Sequence, residues 1–265
     1  METLKLYLKG IEVALQGAPM TVGVSLVAVL IGVMFGLVIA LMRMSKHKLL
    51  SVPAVLYVEV VRGTPMMVQA LVFAYGIPQL LRTFGIKFTW PYLLIPAVIV
   101  CGLNSAAYVA EIIRSGLQAV DKGQMEAARS LGMPHGMAMR LIIIPQAFKI
   151  VLPAFGNEFV SLIKETCVLS YVGVVEILRK GALWNASTFN TFQAYIGVAI
   201  VYMMLTIPLS KLIGLLERKM ATETPAVKKS RKAASKAAAL SNDADAVSAS
   251  GAAAASDALG EEALV

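Results

Sequence analysis

Cysteine and histidine are scarce in this 265-residue chain, and several nucleotide and catalytic motifs are missing. Two cysteines and two isolated histidines do not supply a disulfide framework or a zinc site. Cys101 and Cys167 fall in apolar runs, where small packing residues are expected. No G-x-x-x-x-G-K-[ST] loop, nucleophile elbow or flavin fingerprint occurs. We therefore predict no catalytic residue, no metal and no cofactor in this chain, which is not expected to be an enzyme.

Apolar residues dominate what remains. They make up 58% of the chain against 15% charged residues, a balance typical of an integral membrane protein. Each of the longest apolar runs can cross about 30 Å of hydrocarbon as a helix. The fourth run is the least regular, because it carries Glu158, Lys164 and Glu165. We predict an all-α bundle with transmembrane helices at about residues 15–42, 60–81, 90–112, 151–172 and 190–216.

Basic residues predict the orientation of this bundle. They concentrate after the first helix and between the third and fourth, and such loops stay in the cytoplasm. With the N-terminus outside, five spans place the C-terminus in the cytoplasm. Residues 221–265 are rich in Ala, Ser, Lys and Asp, which predicts a disordered cytoplasmic tail. The net charge of +8 lies largely in these segments, so membrane lipid rather than nucleic acid is the expected partner.

The cytoplasmic loop at about residues 115–149 contains a short helix with defined ends. Asp121 followed by Gln124 predicts a capping-box start near Lys122. Good helix formers follow, and Gly132 suits the left-handed residue that ends a helix. The loop therefore presents a helix of about three turns.

A second helix is expected to begin at Pro134 and to be ended by Pro145. Two short helices would then meet at a fixed elbow. Ala127 and Ala128 have small side chains, so a groove of another protein can approach the first helix closely while Glu126 engages its rim. An ordinary amphipathic loop helix is the alternative interpretation.

Polar residues also recur along single faces of the third and fourth helices, at helical spacing. Carboxylates at membrane depth are costly, so these faces should meet the bundle interior, a water-filled cavity or a partner subunit. A structural salt bridge from Glu158 or Glu165 to another helix is the alternative. The predicted substrate path consists of Asn104, Tyr108, Asn157, Glu158, Ser161 and Glu165.

A second polar set is expected near the membrane surface. Glu111 should pair with Arg114 one turn later. In the stretch VVRGTP, Thr64 is the expected N-cap of the second helix and Pro65 its first residue. Arg62 can hold phosphates or carboxylates there. This set consists of Arg62, Gly63, Thr64, Pro65, Glu111 and Arg114.

These segments resemble a known family. The loop is similar to the E-A-A…G…I-x-L-P signature of permease subunits of bacterial ATP-binding-cassette importers. The matching residues are Glu126, Ala127, Ala128, Gly132, Ile143, Ile144 and Pro145. Three further stretches resemble the polar amino acid branch of this family, which includes histidine, glutamine and arginine permeases. They are VVRGTP, NSAAYVAEIIRSGLQAVDKGQMEAARSLG and LPAFGNEFVSLIKETCVLSYVG. The departures are Cys167, Val168 and Ile144, where similar proteins have serine, leucine and leucine.

The resemblance covers about residues 10–220 and implies the type I importer fold in the bacterial inner membrane. It implies a second permease subunit, a cytoplasmic ATPase dimer that holds ATP and Mg²⁺, and a periplasmic or tethered binding protein. The helix around Glu126 would enter a cleft of the ATPase and couple its closure to the bundle. Glu158 and Glu165 would meet the ammonium group of an amino acid.

Two alternative functions remain open at this stage. A membrane scaffold would explain the loop and the tail but not the paired carboxylates at membrane depth. A secondary transporter or channel for small polar solutes would use the same polar faces, but it would need no docking elbow and no ATPase. The identity of the amino acid, and whether the second permease subunit is another copy of this chain, are likewise open.

Overall fold

The computed structural model describes residues 2–220, and their regular structure is entirely helical. The predicted tail over 221–265 lies outside the described residues. The α-helices are α1 Glu2–Leu15, α2 Ala18–Arg43, α3 Lys48–Gly63, α4 Met66–Leu71, α5 Ile77–Thr83, α6 Leu94–Gln118, α7 Lys122–Ser130, α8 His135–Ala138, α9 Ile144–Glu165, α10 Ile177–Thr188 and α11 Thr191–Met220. Val72–Gly76 and Met139–Ile143 are π-helical, and Thr166–Val172 is a 3₁₀-helix.

Four helical stretches of the described chain are long and apolar enough to cross a membrane: Glu2–Arg43, Leu94–Gln118, His135–Val172 and Thr191–Met220. A fifth span results if Lys48–Gly63 and Met66–Thr83 are counted together, although the two are bent by 104°. The predicted all-α membrane fold is confirmed. Its orientation stays a prediction.

Helix α1 was not expected. Lys5, Lys9 and Glu12 interrupt the apolar run, so the sequence pattern starts the first span later. In the structure α1 nevertheless packs against α11, at a point where each helix has a glycine. A Cβ added at Gly197 would lie 2.5 Å from the carbonyl carbon of Gly10. The two glycines thus allow an N-terminal helix with charged residues to join the bundle.

Helices α2 and α6 make the most extensive helix–helix contact in the described bundle. A Cβ added at Gly36 would lie 2.6 Å from Cγ1 of Val109, and one added at Gly102 would lie 2.6 Å from Cγ2 of Ile31. Small residues at a membrane helix interface let the backbones approach in this way. Because α6 also contacts α3 and α9, its polar side chains lie among several helices.

The predicted start of the second span is wrong. Helix α3 continues to Gly63, and Thr64 is extended, with φ −117° and ψ 142°. Its hydroxyl donates to the carbonyl of Val60 at 2.8 Å, so Thr64 closes α3 instead of capping the next helix. Pro65 is the N-cap residue of α4 rather than its first residue. The cause is the proline, whose ring disfavours the helical conformation of the residue before it.

Pro145 does not end a helix, contrary to expectation. The N–H of Ile144 donates to the carbonyl of Met139, five residues back, and the chain continues into α9. A proline in an α-helix clashes with the carbonyl four residues earlier, and a π-helical turn widens the helix at that point. The same arrangement precedes Pro78, where Ile77 donates to Val72. The expected second elbow helix is therefore the start of a long membrane helix.

Candidate functional site

A polar cluster connects α6 with α9 and with the bend between α3 and α4. The hydroxyl of Ser105 on α6 donates to the carboxylate of Glu158 on α9 at 3.1 Å. Beside it, the amide nitrogen of buried Asn104 donates to the side-chain oxygen of Gln69 on α4 at 3.1 Å. Two of the predicted path residues are thus brought into neighbouring positions, together with two polar residues that the sequence pattern did not single out.

Gln69 holds the bend in place. Its side-chain nitrogen donates to the carbonyl of Val61 at 2.8 Å and to the hydroxyl of Thr64 at 2.8 Å. These acceptors lie where α3 ends, so a side chain of α4 satisfies groups that the broken helix leaves open. Gln69 is an isolated polar residue in an apolar run of the sequence, and this is the signal that could have identified it as a site residue.

The predicted surface set contacts part of the predicted path. Glu111 accepts hydrogen bonds from Arg114, as expected, and also from Arg43 on α2. Arg62 lies 4.0 Å from the same carboxylate. Its guanidinium carbon also lies 5.2 Å from the ring centroid of Tyr108, within cation–π distance. The side chain of Arg62 therefore joins the ion-paired end of α6 to the predicted path.

The carboxylates of α9 have no such partners. Neither Glu158 nor Glu165 forms an ion pair with any residue between 2 and 220. Both are half-buried, as is Ser161, while Asn157 is exposed. The structural salt bridge considered from the sequence is thus not made within this part of the chain. Arg62 attracts Glu158, and Lys164 attracts Glu165, only from beyond ion-pair distance.

Helix α7, in the loop between α6 and α9, has the predicted ends. The carboxylate of Asp121 accepts from the N–H of Gly123 at 2.7 Å at the start of α7. At the other end Gly132 has φ +84°, and the N–H of Met133 donates to the carbonyl of Ala128 at 3.1 Å. This is the left-handed helix stop expected of a glycine. The elbow is therefore fixed by backbone geometry.

The surface of α7 differs from the expectation in one respect. Glu126 and Ala127 are exposed, but Ala128 is only 2% exposed and packs inside this chain. One small side chain, not two, is available to a partner. Leu131 is 84% exposed at the tip of the elbow and adds an apolar contact that the pattern did not indicate.

A second polar site, not predicted, anchors α10. Glu176 is 1% exposed and accepts from the N–H groups of Leu178 and Arg179, at 2.8 and 2.7 Å, and from the hydroxyl of Tyr202 at 2.7 Å. Burial raises the pKa of the Glu176 carboxyl, while these three hydrogen bonds oppose the rise. Thr21 on α2 accepts from the N–H of Ile177 at 3.3 Å. The site ties three helices together and is structural.

No three histidine, cysteine, aspartate or glutamate side chains across residues 2–220 are placed to hold a metal ion. The arrangement is instead an apolar helical bundle with a polar interior cluster and an exposed elbow. This combination is typical of a membrane transport component.

Comparisons with known proteins agree. The profile of the family described as "Binding-protein-dependent transport system inner membrane component" matches residues 32–222. The arginine transport system permease protein ArtQ of Bacillus subtilis (strain 168) is 37% identical over 206 residues, 78% of this chain and 91% of that protein. The putative glutamine transport system permease protein GlnP of Rickettsia bellii (strain RML369-C) is 36% identical over 205 residues, 77% and 91% of the two chains.

A solved structure is also similar. The "Crystal structure of an amino acid ABC transporter with histidines" has a chain that is 45% identical, with a TM-score of 0.73, covering 80% of this chain and 96% of that one. The present chain belongs to the family of inner membrane components of binding-protein-dependent transport systems. It is a multi-pass permease component with the type I importer fold, and in this family the ATPase lies on a separate subunit. The alternative of a self-sufficient channel or secondary transporter finds no support.

Proposed function

We propose that this chain is the permease subunit of an amino acid importer, and that the polar cluster around Glu158 forms part of the substrate path. The names of the arginine and glutamine relatives support an amino acid as substrate. The observation that carries the proposal is the half-buried carboxylate of Glu158, which accepts a hydrogen bond from Ser105 and forms no ion pair within residues 2–220, although Arg62 attracts it from a longer distance. A carboxylate without an ion pair can bind the ammonium group of a passing amino acid.

The remaining path residues supply weaker contacts. Asn104 precedes Ser105 on α6, and its buried side-chain amide donates a hydrogen bond to Gln69. Glu165 lies two turns further along α9 than Glu158, so an ammonium that leaves one carboxylate finds another. A pair of moderate sites serves transport better than one strong site, because conduction requires both entry and release.

The elbow formed by α7 and Gly132 is the proposed contact with the ATPase. Glu126, Ala127 and Leu131 are exposed on it, and Pro145 lies where the chain enters the long helix α9. A displacement of the elbow is thus passed along one continuous helix to Glu158. ATP and Mg²⁺ would be bound by the ATPase dimer, and a second permease subunit and a binding protein would complete the importer.

Glu158→Gln tests the path. We expect the purified transporter, in proteoliposomes with its binding protein, to lose about tenfold or more of its uptake of tritiated L-arginine, L-glutamine or L-histidine, whichever the wild type carries. Glu217→Gln is the matched control, because it makes the same change at an exposed position of α11. Wild-type uptake by the Glu158 variant would remove this residue from the path.

Gly132→Val tests the coupling. A Cβ at Gly132 meets nothing within 4 Å, so valine affects only the left-handed backbone, at a cost of about 1–2 kcal/mol. We expect the elbow to deform and substrate-stimulated ATP hydrolysis to fall severalfold. Gly136→Val, at an equally open position without a positive φ, serves as the control. Equal hydrolysis by both variants would show that the helix stop does not matter for coupling.

A further inference from the structure

Gly32 on α2 lies directly against Ser105 on α6. A Cβ added at Gly32 would lie 2.6 Å from the hydroxyl oxygen of Ser105 and 2.8 Å from its Cβ, distances that real Cβ atoms essentially never show. Gly32 is inside a regular helix and has no positive φ. The position therefore requires the absence of a side chain, not the backbone freedom of glycine.

The neighbour that Gly32 accommodates is a polar group of the candidate site. Ser105 is 0% exposed, and its hydroxyl donates to Glu158 at 3.1 Å. No other hydrogen bond to the Glu158 carboxylate is present among residues 2–220. A serine inside a helix has a competing acceptor in the carbonyls three and four residues earlier. A small displacement of its side chain is thus enough to remove the donor from Glu158.

We propose that Gly32 is a positioning residue of the substrate path. By leaving room for the Ser105 hydroxyl it keeps Glu158 oriented, and it brings α2 into a site otherwise built by α6 and α9. The inference rests on the proposed function, because orientation of Glu158 matters only if this carboxylate meets the substrate.

Gly36 provides a matched control on the same helix interface. It lies one turn beyond Gly32, and a Cβ added there would lie 2.6 Å from Cγ1 and 2.8 Å from Cβ of Val109. The crowding is at least as severe as at Gly32, because the added Cβ would also lie 2.9 Å from the backbone carbonyl oxygen of Ala106. The side chain that it meets is apolar, and neither Val109 nor Ala106 contacts Glu158 in the described structure. Gly36→Ala therefore perturbs packing alone, whereas Gly32→Ala perturbs packing and the hydroxyl together.

The experiment separates these two effects. The full transporter is purified through a tag on this chain, and dissociation constants for tritiated L-arginine, L-glutamine and L-histidine are measured in nanodiscs without the binding protein. The compared variants are Gly32→Ala, Gly36→Ala, Ser105→Ala and the exchange Gly32→Ala with Ser105→Gly. The exchange makes room for the new methyl group but lacks the hydroxyl.

For the probe that the wild type binds, we expect Gly32→Ala and Ser105→Ala to raise the dissociation constant about tenfold. Gly36→Ala should stay within about twofold of the wild type in binding, although its loss of melting temperature should be at least as large as that of Gly32→Ala. The exchange should recover the melting temperature and keep the weak binding.

Three results would overturn the proposal. They are recovered binding in the exchange, equal weakening by both glycine variants, and wild-type binding by Ser105→Ala. If Gly32→Ala does not assemble, Ser105→Ala and the exchange carry the test by themselves. Failure of the proposed function is distinguishable, because Glu158→Gln would then bind like the wild type. Impaired binding by Glu158→Gln with normal binding by Gly32→Ala and Ser105→Ala would defeat only this inference.

Discussion

Two carboxylates in the bundle have opposite surroundings. Glu111 on α6 is contacted by Arg43 and Arg114, with Arg62 at 4.0 Å. Glu158 on α9 has a single hydroxyl donor and no ion pair within the described residues. One site thus has more positive than negative charge, and the other has a carboxylate that forms no ion pair and that Arg62 attracts only from a longer distance.

The difference shows how the chain separates stability from transport. The Glu111 site joins α2, α3 and α6 by charge, so its carboxylate is fully occupied and has no capacity for a ligand. No ion pair within residues 2–220 offsets the desolvation cost of Glu158, and a bound cation can offset it. A buried carboxylate is therefore a better candidate for substrate contact when its protein partners are few.

The largest expected effect is on the saturated site. Glu111→Gln removes the negative charge between three guanidinium groups, of which Arg43 is only 17% exposed. We expect a loss of about 2 kcal/mol, which lies between the values for exposed and buried ion pairs because the site is partly solvated. Thermal unfolding of the detergent-purified transporter should show a melting temperature lower by about 5 °C.

A second substitution checks the cause of this loss. In the Glu111→Gln background, Arg43→Gln removes one of the repelling charges, and part of the melting temperature should return. Simple addition of two losses would contradict the view that charge balance, rather than packing of the side chains, holds this end of α6.

The residues of these two sites show what the sequence could and could not predict. Glu111 and Arg114 are three residues apart on one helix, so their pairing followed from helical spacing. Arg43 and Ser105 reach their partners from other helices, at separations of 68 and 53 residues. Local periodicity contains no information on which helix faces which, and that information decided the partners of both carboxylates.

The breaks in the helices show the same limit. The stop at Gly132 was predicted because a left-handed glycine is a local property of the chain. The effects of Pro65 and Pro145 were not, because each depends on how the preceding turn adapts. Thr64 became extended before Pro65, while a π-helical turn absorbed Pro145. Proline restricts the backbone in both cases, but the surrounding packing selects the outcome.

A smaller effect, of opposite sign, is expected at the unsaturated site. Glu158→Gln replaces a partly desolvated charge by a neutral amide that still accepts from Ser105, so the transporter should be as stable as the wild type or more stable by up to about 1 kcal/mol. The melting temperature without substrate measures this stability difference, and Glu217→Gln at an exposed position should leave it unchanged.

Addition of the transported amino acid should stabilise the wild type more than the Glu158 variant, because a ligand that binds only the folded state raises its stability. A melting temperature that falls as far as that of Glu111→Gln would mean that Glu158 is already neutralised by a cation in the assembled transporter, and the contrast between the two carboxylates would not hold.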